Sequence, residues 1–356
     1  MKKVAQALFI TIFCAVLGLS FAVFNIFSKQ LSMDSHENRL MTGLPQVLQS
    51  PLRELSRNLD NFFVDNSPFR YQFVLLNASL DYKLFGTSQS DQVLTGKEGW
   101  LFYKDGPTAA QPVANYQGLT VIDDSEETLA HASAALQIFN DDLAENGCTL
   151  VLDLTPSKDR IYQEYMPEGY PILNEENRTD RMAAYLQSHT TVPVVWRYST
   201  LRSQAKLYPD RLLYYKTDPH WNHLGALIGL DGIFEALGMP TLAPEEYPVA
   251  ANGTTTGDMA NVAALYAVLP PEDRYEVPGY DTLFEKDSRI VRVIGDSFSE
   301  YYMPYLEARF EGCWREHIDT FDPAIAEQPG CDILILEFNE RSLDTFLSIM
   351  EHFYSA

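Results

Sequence analysis

The sequence predicts an α/β fold: a three-layer α/β/α sandwich around a mostly parallel sheet, preceded by an N-terminal transmembrane helix and a helical stem. Two observations predict the sandwich. Apolar runs short enough for strands alternate with amphipathic stretches long enough for helices. The runs are continuous rather than alternating, as in Leu150-Val151-Leu152, which requires cover on both faces and so a parallel sheet between helices. The third observation is an uncharged, mostly apolar stretch from Val4 to Ser28 behind Lys2 and Lys3.

That stretch, roughly 25 residues, is long enough to cross a bilayer as a helix. Two lysines before it and acidic sequence after it place the N-terminus inside and everything from Lys29 outside. Ser20-Phe21-Ala22 gives the competing reading of a cleaved signal peptide. The apolar character runs on through Val23, Phe24, Ile26 and Phe27, which favours an uncleaved anchor.

The rest of the chain divides into a stem over residues 31–95 and a main domain over 96–356. In the stem, Leu52, Leu55, Leu59, Phe62 and Phe63, then Phe73, Leu76, Leu80 and Leu84, recur at helical spacing, with Pro45, Pro51 and Pro68 breaking the helices into pieces. Gly96 to Tyr103 reads as a glycine-bounded turn into an aromatic strand that opens the main domain. A helix over 125–146 follows, with Ser125 as N-cap and Gly147 past its end. Then come a strand from Thr149 to Leu154, a helix near 178–188, a strand at 192–196, a helix over 222–237, a strand at 289–294, a helix over 300–310, a strand at 332–338 and a closing helix from Arg341. Residues 250–256 read as a loop.

The chain holds 356 residues, 46% hydrophobic and 12% aromatic, which suffices for one large packed domain and an appendage. Its 49 acidic against 26 basic side chains give a formal net charge of −23, which repels a polyphosphate backbone and excludes nucleic-acid binding. Cys14 lies in the apolar segment. Of Cys148, Cys313 and Cys331, an odd number, at most one pair can bridge within the chain; Cys148 reads as a small core residue, and Cys313 and Cys331 are near enough in sequence to pair. None has zinc-site spacing, and no cofactor is expected.

Chemistry is expected at the C-terminal edge of the sheet, where two segments stand out. In Val291-Arg292-Val293-Ile294-Gly295-Asp296-Ser297-Phe298-Ser299, a strand runs through glycine into a serine at a helix start. Gly295 permits a tight turn, and the free amides of the helix can receive the charge of a tetrahedral intermediate. The same residues also fit a plain capping box from Ser297 to Glu300. In Thr217-Asp218-Pro219-His220-Trp221-Asn222-His223, a carboxylate and an imidazole stand two residues apart, so Asp218 can hold one ring nitrogen of His220 while the other serves Ser297. Asp218 as a helix N-cap with Pro219 as first helical residue is the alternative. A metal held by Asp218, His220 and His223 is the third.

These segments, together with Glu37-Asn38-Arg39, Phe62-Phe63, Ser67-Pro68-Phe69-Arg70, Glu98-Gly99-Trp100-Leu101-Phe102, Pro156-Ser157-Lys158, Thr256-Gly257-Asp258-Met259 and Glu340-Arg341-Ser342, resemble in order the alginate O-acetyltransferase (AlgX/AlgJ-type) and DHHW families of SGNH-hydrolase-like proteins. One departure is Pro219, where the second letter of the DHHW name is a histidine. The resemblance implies Ser297 as nucleophile, His220 as base and Asp218 as its orienting carboxylate. It implies acetylation of an exported polysaccharide, with acetyl groups supplied by a membrane-bound O-acyltransferase partner. Trp221, Lys158 and Arg341 are candidates for substrate contact. Against this stand a buried anchor role for Trp221, an exposed strand-end lysine for Lys158 and a structural pair between Arg341 and Glu340. A non-catalytic glycan-binding protein of the same fold and a metal-dependent hydrolase are the competing functional readings.

Overall fold

The structure, a computed structural model, describes residues 6–16, 18–19, 42–65, 70–104, 112–119 and 125–354. About half of the Val4–Ser28 segment lies outside them; its described residues, 6–16 and 18–19, are helical. Among the described residues, no helix is long and apolar enough to cross a membrane.

The chain forms two compact units. Residues 1–89 and 261–269 make the first, and residues 90–260 and 270–356 the second. In the first unit, helices α1 (Leu52–Asp65) and α2 (Arg70–Phe85) carry the apolar spacing read from the sequence. Leu52, Phe63, Phe73 and Leu84 on them are exposed.

In the second unit, β1 (Val93–Thr95) and β2 (Leu101–Tyr103) pair as a small antiparallel ribbon. The aromatic strand expected to open the domain is thus β2, and it stands outside the main sheet. Its turn holds Glu98 at φ 54. The main sheet is built from β3 (Thr149–Thr155), β4 (Val194–Trp196), β7 (Asp287–Gly295), β8 (Phe310–His317) and β9 (Ile333–Asn339), in the order β4-β3-β9-β7-β8, every pair parallel.

Successive residues of a strand point to opposite faces, and each face here has its own core. Leu150, Leu152 and Leu154 of β3 join Leu334, Leu336 and Phe338 of β9 on one side, under helices α3 (Glu126–Glu145), α4 (Arg178–His189) and α8 (Leu343–Tyr354). Val151, Val291, Val293, Ile333 and Ile335 lie on the other, under α5 (Tyr198–Leu207), α6 (His223–Ala236) and α7 (Met303–Arg309). This is the three-layer sandwich the apolar runs predict. Ser125 caps α3 by accepting from Thr128 N at 3.2 Å, and Gly147 follows at φ +75.

Several elements depart from expectation. Residues 250–255 form a strand, β5, paired with β6 (Glu272–Glu276) in an exposed antiparallel ribbon with an irregular register. Strand β8 has no apolar run because it is the sheet edge and its side chains are mostly half-exposed. The helix expected from residue 300 begins as a tighter 3₁₀ stretch, Ser297–Tyr302, before α7. Cys331 lies 3.7 Å from Cys148 Sγ to Sγ, not against Cys313, because β7 stands between β8 and β9; the thiols are free.

Candidate active site

Strand β7 ends at Gly295 with its neighbour β9 close beside it. A Cβ at Gly295 would stand 2.7 Å from Glu337 Oε2 and 2.8 Å from Ser299 Oγ, so glycine is required for close approach rather than for an unusual φ. The chain then turns at Asp296, whose Oδ1 accepts from Phe298 N at 2.9 Å and whose Oδ2 accepts from Asn339 N at 3.0 Å and Ser342 Oγ at 2.9 Å. The N-cap of the following turn is therefore Asp296, and the capping box centred on Ser297 does not form. The Ser297 hydroxyl is left to a different partner.

That partner comes from the loop before α6. Helix α6 is capped by Asn222, which accepts from Gly225 N at 3.0 Å, so its start lies past Asp218 and Pro219 and the N-cap reading of Asp218 fails. Asp218 instead folds back on its own loop. Its Oδ1 accepts from His220 N at 3.0 Å and lies 2.7 Å from His220 Nδ1, while Oδ2 accepts from Asp258 N at 2.9 Å. On the far side of the ring, His220 Nε2 lies 2.7 Å from Ser297 Oγ.

The structure thus brings Asp218, His220 and Ser297 into one hydrogen-bonded chain across 79 sequence positions at most, with Asp218 buried and the other two half-buried. Burial alone would raise the Asp218 carboxyl, but the His220 bond and charge and two backbone amides outweigh it and hold it down to about 2. Asp218 is accordingly a carboxylate at neutral pH. An imidazole so held presents one fixed tautomer to the serine, the arrangement needed to take up its proton.

The other candidates fall in different places. Trp221 is 0% exposed and its indole donates to the Phe298 carbonyl at 3.0 Å, which makes it the anchor beneath the turn rather than a sugar platform. Lys158 is buried, not an exposed strand-end lysine; Nζ donates to the carbonyls of Tyr215, Lys216 and Asp218, and burial pushes its pKa down to about 7. Arg341 is not paired with Glu340. Its Nε donates to Asn339 Oδ1 at 3.0 Å, its guanidinium lies over Tyr103 and Phe298, and it lines a small cleft with Phe102, Tyr103, Lys158 and Pro219. Glu340 is fully buried and accepts from Ser157 N, Asn115, Asn177, Thr179 and Arg160.

His223 turns away from Asp218, its ring against Tyr301 and Tyr305. The trio of Asp218, His220 and His223 therefore does not converge, and among the described residues no group of three or more His, Cys, Asp or Glu side chains could hold a metal ion.

Sequence reasoning missed Glu272, whose carboxylate accepts from Lys216 N at 2.5 Å, Thr217 N at 2.9 Å and the Thr217 hydroxyl. In the sequence it stands in Glu272-Asp273-Arg274, which carries no signal beyond that of a solvated surface.

Residues 93–312, more than half of the chain, match the family described as "SGNH hydrolase-like domain, acetyltransferase AlgX". Two relatives named "Probable alginate O-acetylase AlgJ" are similar. That of Pseudomonas putida is 26% identical over 233 residues, 62% of this chain and 53% of the relative, so the match spans about half the relative's length. That of Pseudomonas syringae pv. tomato is 24% identical over 320 residues, 84% of this chain and 74% of the relative. Among solved structures, the O-acetyltransferase domain of Pseudomonas putida AlgJ gives a TM-score of 0.48 at 18% identity, covering 73% of this chain and 98% of that one. A DHHW family protein from Eubacterium siraeum gives 0.48 at 15% identity, covering 72% and 98%. With its parallel sheet and the extent of the family match, the chain belongs to the AlgX-type acetyltransferase family with an SGNH hydrolase-like domain.

Proposed function

We propose that this protein is an O-acetyltransferase that modifies a polysaccharide outside the cytoplasm, by way of an acetyl-enzyme at Ser297. The observation that carries the reading is His220 placed between Asp218 and Ser297, 2.7 Å from each. Membership of a family named for acetyl transfer and relatives named as alginate O-acetylases support the acyl group and the substrate class.

In this reading Ser297 Oγ attacks the acetyl carbonyl of the donor as its proton passes to His220 Nε2, and Asp218 stabilises the imidazolium. The tetrahedral intermediate collapses, the bond to the donor oxygen breaks, and Nε2 returns the proton to that leaving oxygen. A sugar hydroxyl then attacks acetyl-Ser297 and gives its proton to Nε2; on the second collapse the bond to Ser297 Oγ breaks and Nε2 returns that proton to Oγ, releasing the acetylated sugar. Phe298 N–H and Ser299 N–H are already taken by Asp296, so the Ser297 amide is the donor of this turn left for the oxyanion.

Export follows from Lys2, Lys3 and the apolar run to Ser28, read as a single-pass membrane anchor over residues 1–30. Residues 31–95 act as the stem and 96–356 as the catalytic domain, with a membrane-bound O-acyltransferase as acetyl supplier. Protease digestion of spheroplasts with an intact cytoplasmic membrane tests the topology: digestion of residues 96–356 before lysis supports it, and protection until that membrane is lysed refutes it. Ser297→Ala tests the chemistry. Acetyl transfer to polysaccharide, or acetate release from p-nitrophenyl acetate, is expected to vanish; activity equal to the wild type would refute the reading.

A further inference from the structure

The backbone from Tyr215 to Asp218 carries the carboxylate end of the hydrogen-bonded chain, and both of its polar edges are gripped by charged side chains from elsewhere in the unit. On the carbonyl edge, Lys158 Nζ donates to Tyr215 O at 3.0 Å, Lys216 O at 3.0 Å and Asp218 O at 2.6 Å. On the amide edge, Glu272 accepts from Lys216 N at 2.5 Å and Thr217 N at 2.9 Å, and from the Thr217 hydroxyl. Thr217 Oγ1 in turn accepts from Gly257 N at 3.0 Å, next to the Asp258 amide that binds Asp218 Oδ2.

An ammonium has three N–H groups and no acceptor, so all of the hydrogen bonds Lys158 can make are committed to this one loop. The side chain is 3% exposed, with Nζ 5.3 Å from the centre of the Phe102 ring and 5.7 Å from that of Trp100. Three carbonyl acceptors on one nitrogen need the three N–H groups of the protonated form, and a buried cation with none left to offer is not a substrate contact. Burying it is costly unless opposite charge and aligned dipoles offset the lost hydration. Glu272 is its strongest attractive partner, and three carbonyl dipoles point at it.

We propose that Lys158 and Glu272 form a positioning pair for the acetyl-transfer reaction, the cation holding the carbonyls and the anion the amides of one short segment, so that Asp218 stays aligned on His220. The proposal rests on the reading of Ser297 as nucleophile. Neither residue touches a reacting atom; both act through the loop. Lys158 follows β3 and Glu272 is the first residue of β6, so the pair also ties the β5–β6 ribbon to the site.

The test uses the full chain with Lys158→Met, Glu272→Gln and the double variant. Phenylmethanesulfonyl fluoride reports the reactivity of Ser297, p-nitrophenyl acetate gives kcat and KM, and thermal unfolding reports the fold. Glutamine offers one acceptor and an NH₂ that cannot accept, so Glu272→Gln breaks the two-pronged grip without a change of size. Each single variant is expected to lose about 10- to 100-fold in kcat and in sulfonylation rate, with KM unchanged, the scale of a reacting group displaced by about an ångström. The double variant is expected to be no worse than the poorer single one, because both release the same loop. Folded single variants with wild-type sulfonylation and kcat would overturn the proposal, as would losses that multiply in the double variant. If Lys158→Met does not fold, Glu272→Gln alone decides in the same terms. Wild-type Ser297 that resists the reagent defeats the nucleophile reading, and the pair with it; a reactive wild type with unimpaired variants defeats the pair alone.

Discussion

The indole of Trp221 donates its N–H to the carbonyl of Phe298 at 3.0 Å. One residue follows the histidine and the other follows the serine, so this buried bond fixes the distance between the two loops that meet at the site. The ring also packs edge-on against Phe298 and at a tilt against Tyr302. Trp221→Phe keeps an aromatic core but strands the Phe298 carbonyl, at a cost of about 1–3 kcal/mol in stability. A fall in the denaturant midpoint, with kcat reduced more than KM is raised, is the expected result.

Asp218→Asn tests the orienting carboxylate. The amide can present the wrong hydrogen-bonding group to Nδ1, so the imidazole no longer offers a free Nε2 to Ser297; kcat is expected to drop by up to about 10⁴-fold, and the variant also forfeits at neutral pH the stability that the ionised carboxylate contributes. Because the Asp218 carboxyl lies below its usual 3.8, at about 2, its contribution to stability is complete above roughly pH 4 and is lost as pH falls toward 2. Urea midpoints measured across that range should decline less steeply for Asp218→Asn than for the wild type.

Beneath the nucleophile turn, burial raises the Asp153 carboxyl to about 7, against the donating Tyr302 hydroxyl, and raises Glu337 well above its usual range, with the Asp296 and Asp153 charges adding to the effect. The sign is opposite to that of Asp218. A raised folded pKa means the native state holds protons the unfolded chain has released, so both groups lower stability as pH rises above the usual carboxylate range, Asp153 until about 7. Glu337→Gln keeps the shape and an acceptor for Thr155 while removing the ionisation. It should unfold at higher urea than the wild type at pH 8, and the gap should shrink toward pH 5.

Gly257→Ala puts a methyl group 2.3 Å from the backbone carbon and oxygen of Thr217 and 2.5 Å from Asp218 N. Those atoms are main chain and cannot swing aside, so the Asp218 loop must shift. Overpacking of this kind costs about 1–3 kcal/mol. Loss of activity in a variant that remains folded, measured by kcat beside a thermal melt, is the expected outcome; Gly169→Ala, with nothing within 4 Å of the added Cβ, serves as the silent control.

How much of this was legible in the sequence depends on where each residue ends up. Strands β3 and β9 announce themselves because both faces are covered, nearly every position is buried and most are apolar; β8 and the β5–β6 ribbon do not, because their side chains are largely polar and only partly covered. The motifs around Asp218, His220 and Ser297 were visible as motifs, but equally as helix caps. Only the structure shows that Asp296 and Asn222 are the N-caps, which leaves Ser297 and Asp218 for each other's histidine. Lys158 was visible as a candidate for substrate contact but its grip on the Asp218 loop was not, and Glu272 was not visible at all: a charged residue in a polar stretch reads as solvated, and nothing local reveals the distant loop it holds. Arg341 and Glu340, adjacent in sequence, point to separate networks, Glu340 inward to Arg160 and Arg341 outward over Tyr103.

The most direct test of the account is to catch the acyl group on the serine. The full chain mixed with p-nitrophenyl acetate, quenched in acid within the burst and digested for mass spectrometry, should carry one acetyl group, on the peptide containing Ser297, and His220→Ala should carry almost none. An enzyme that turns over the ester with Ser297 never acetylated, or with the acetyl group on another residue, would contradict it.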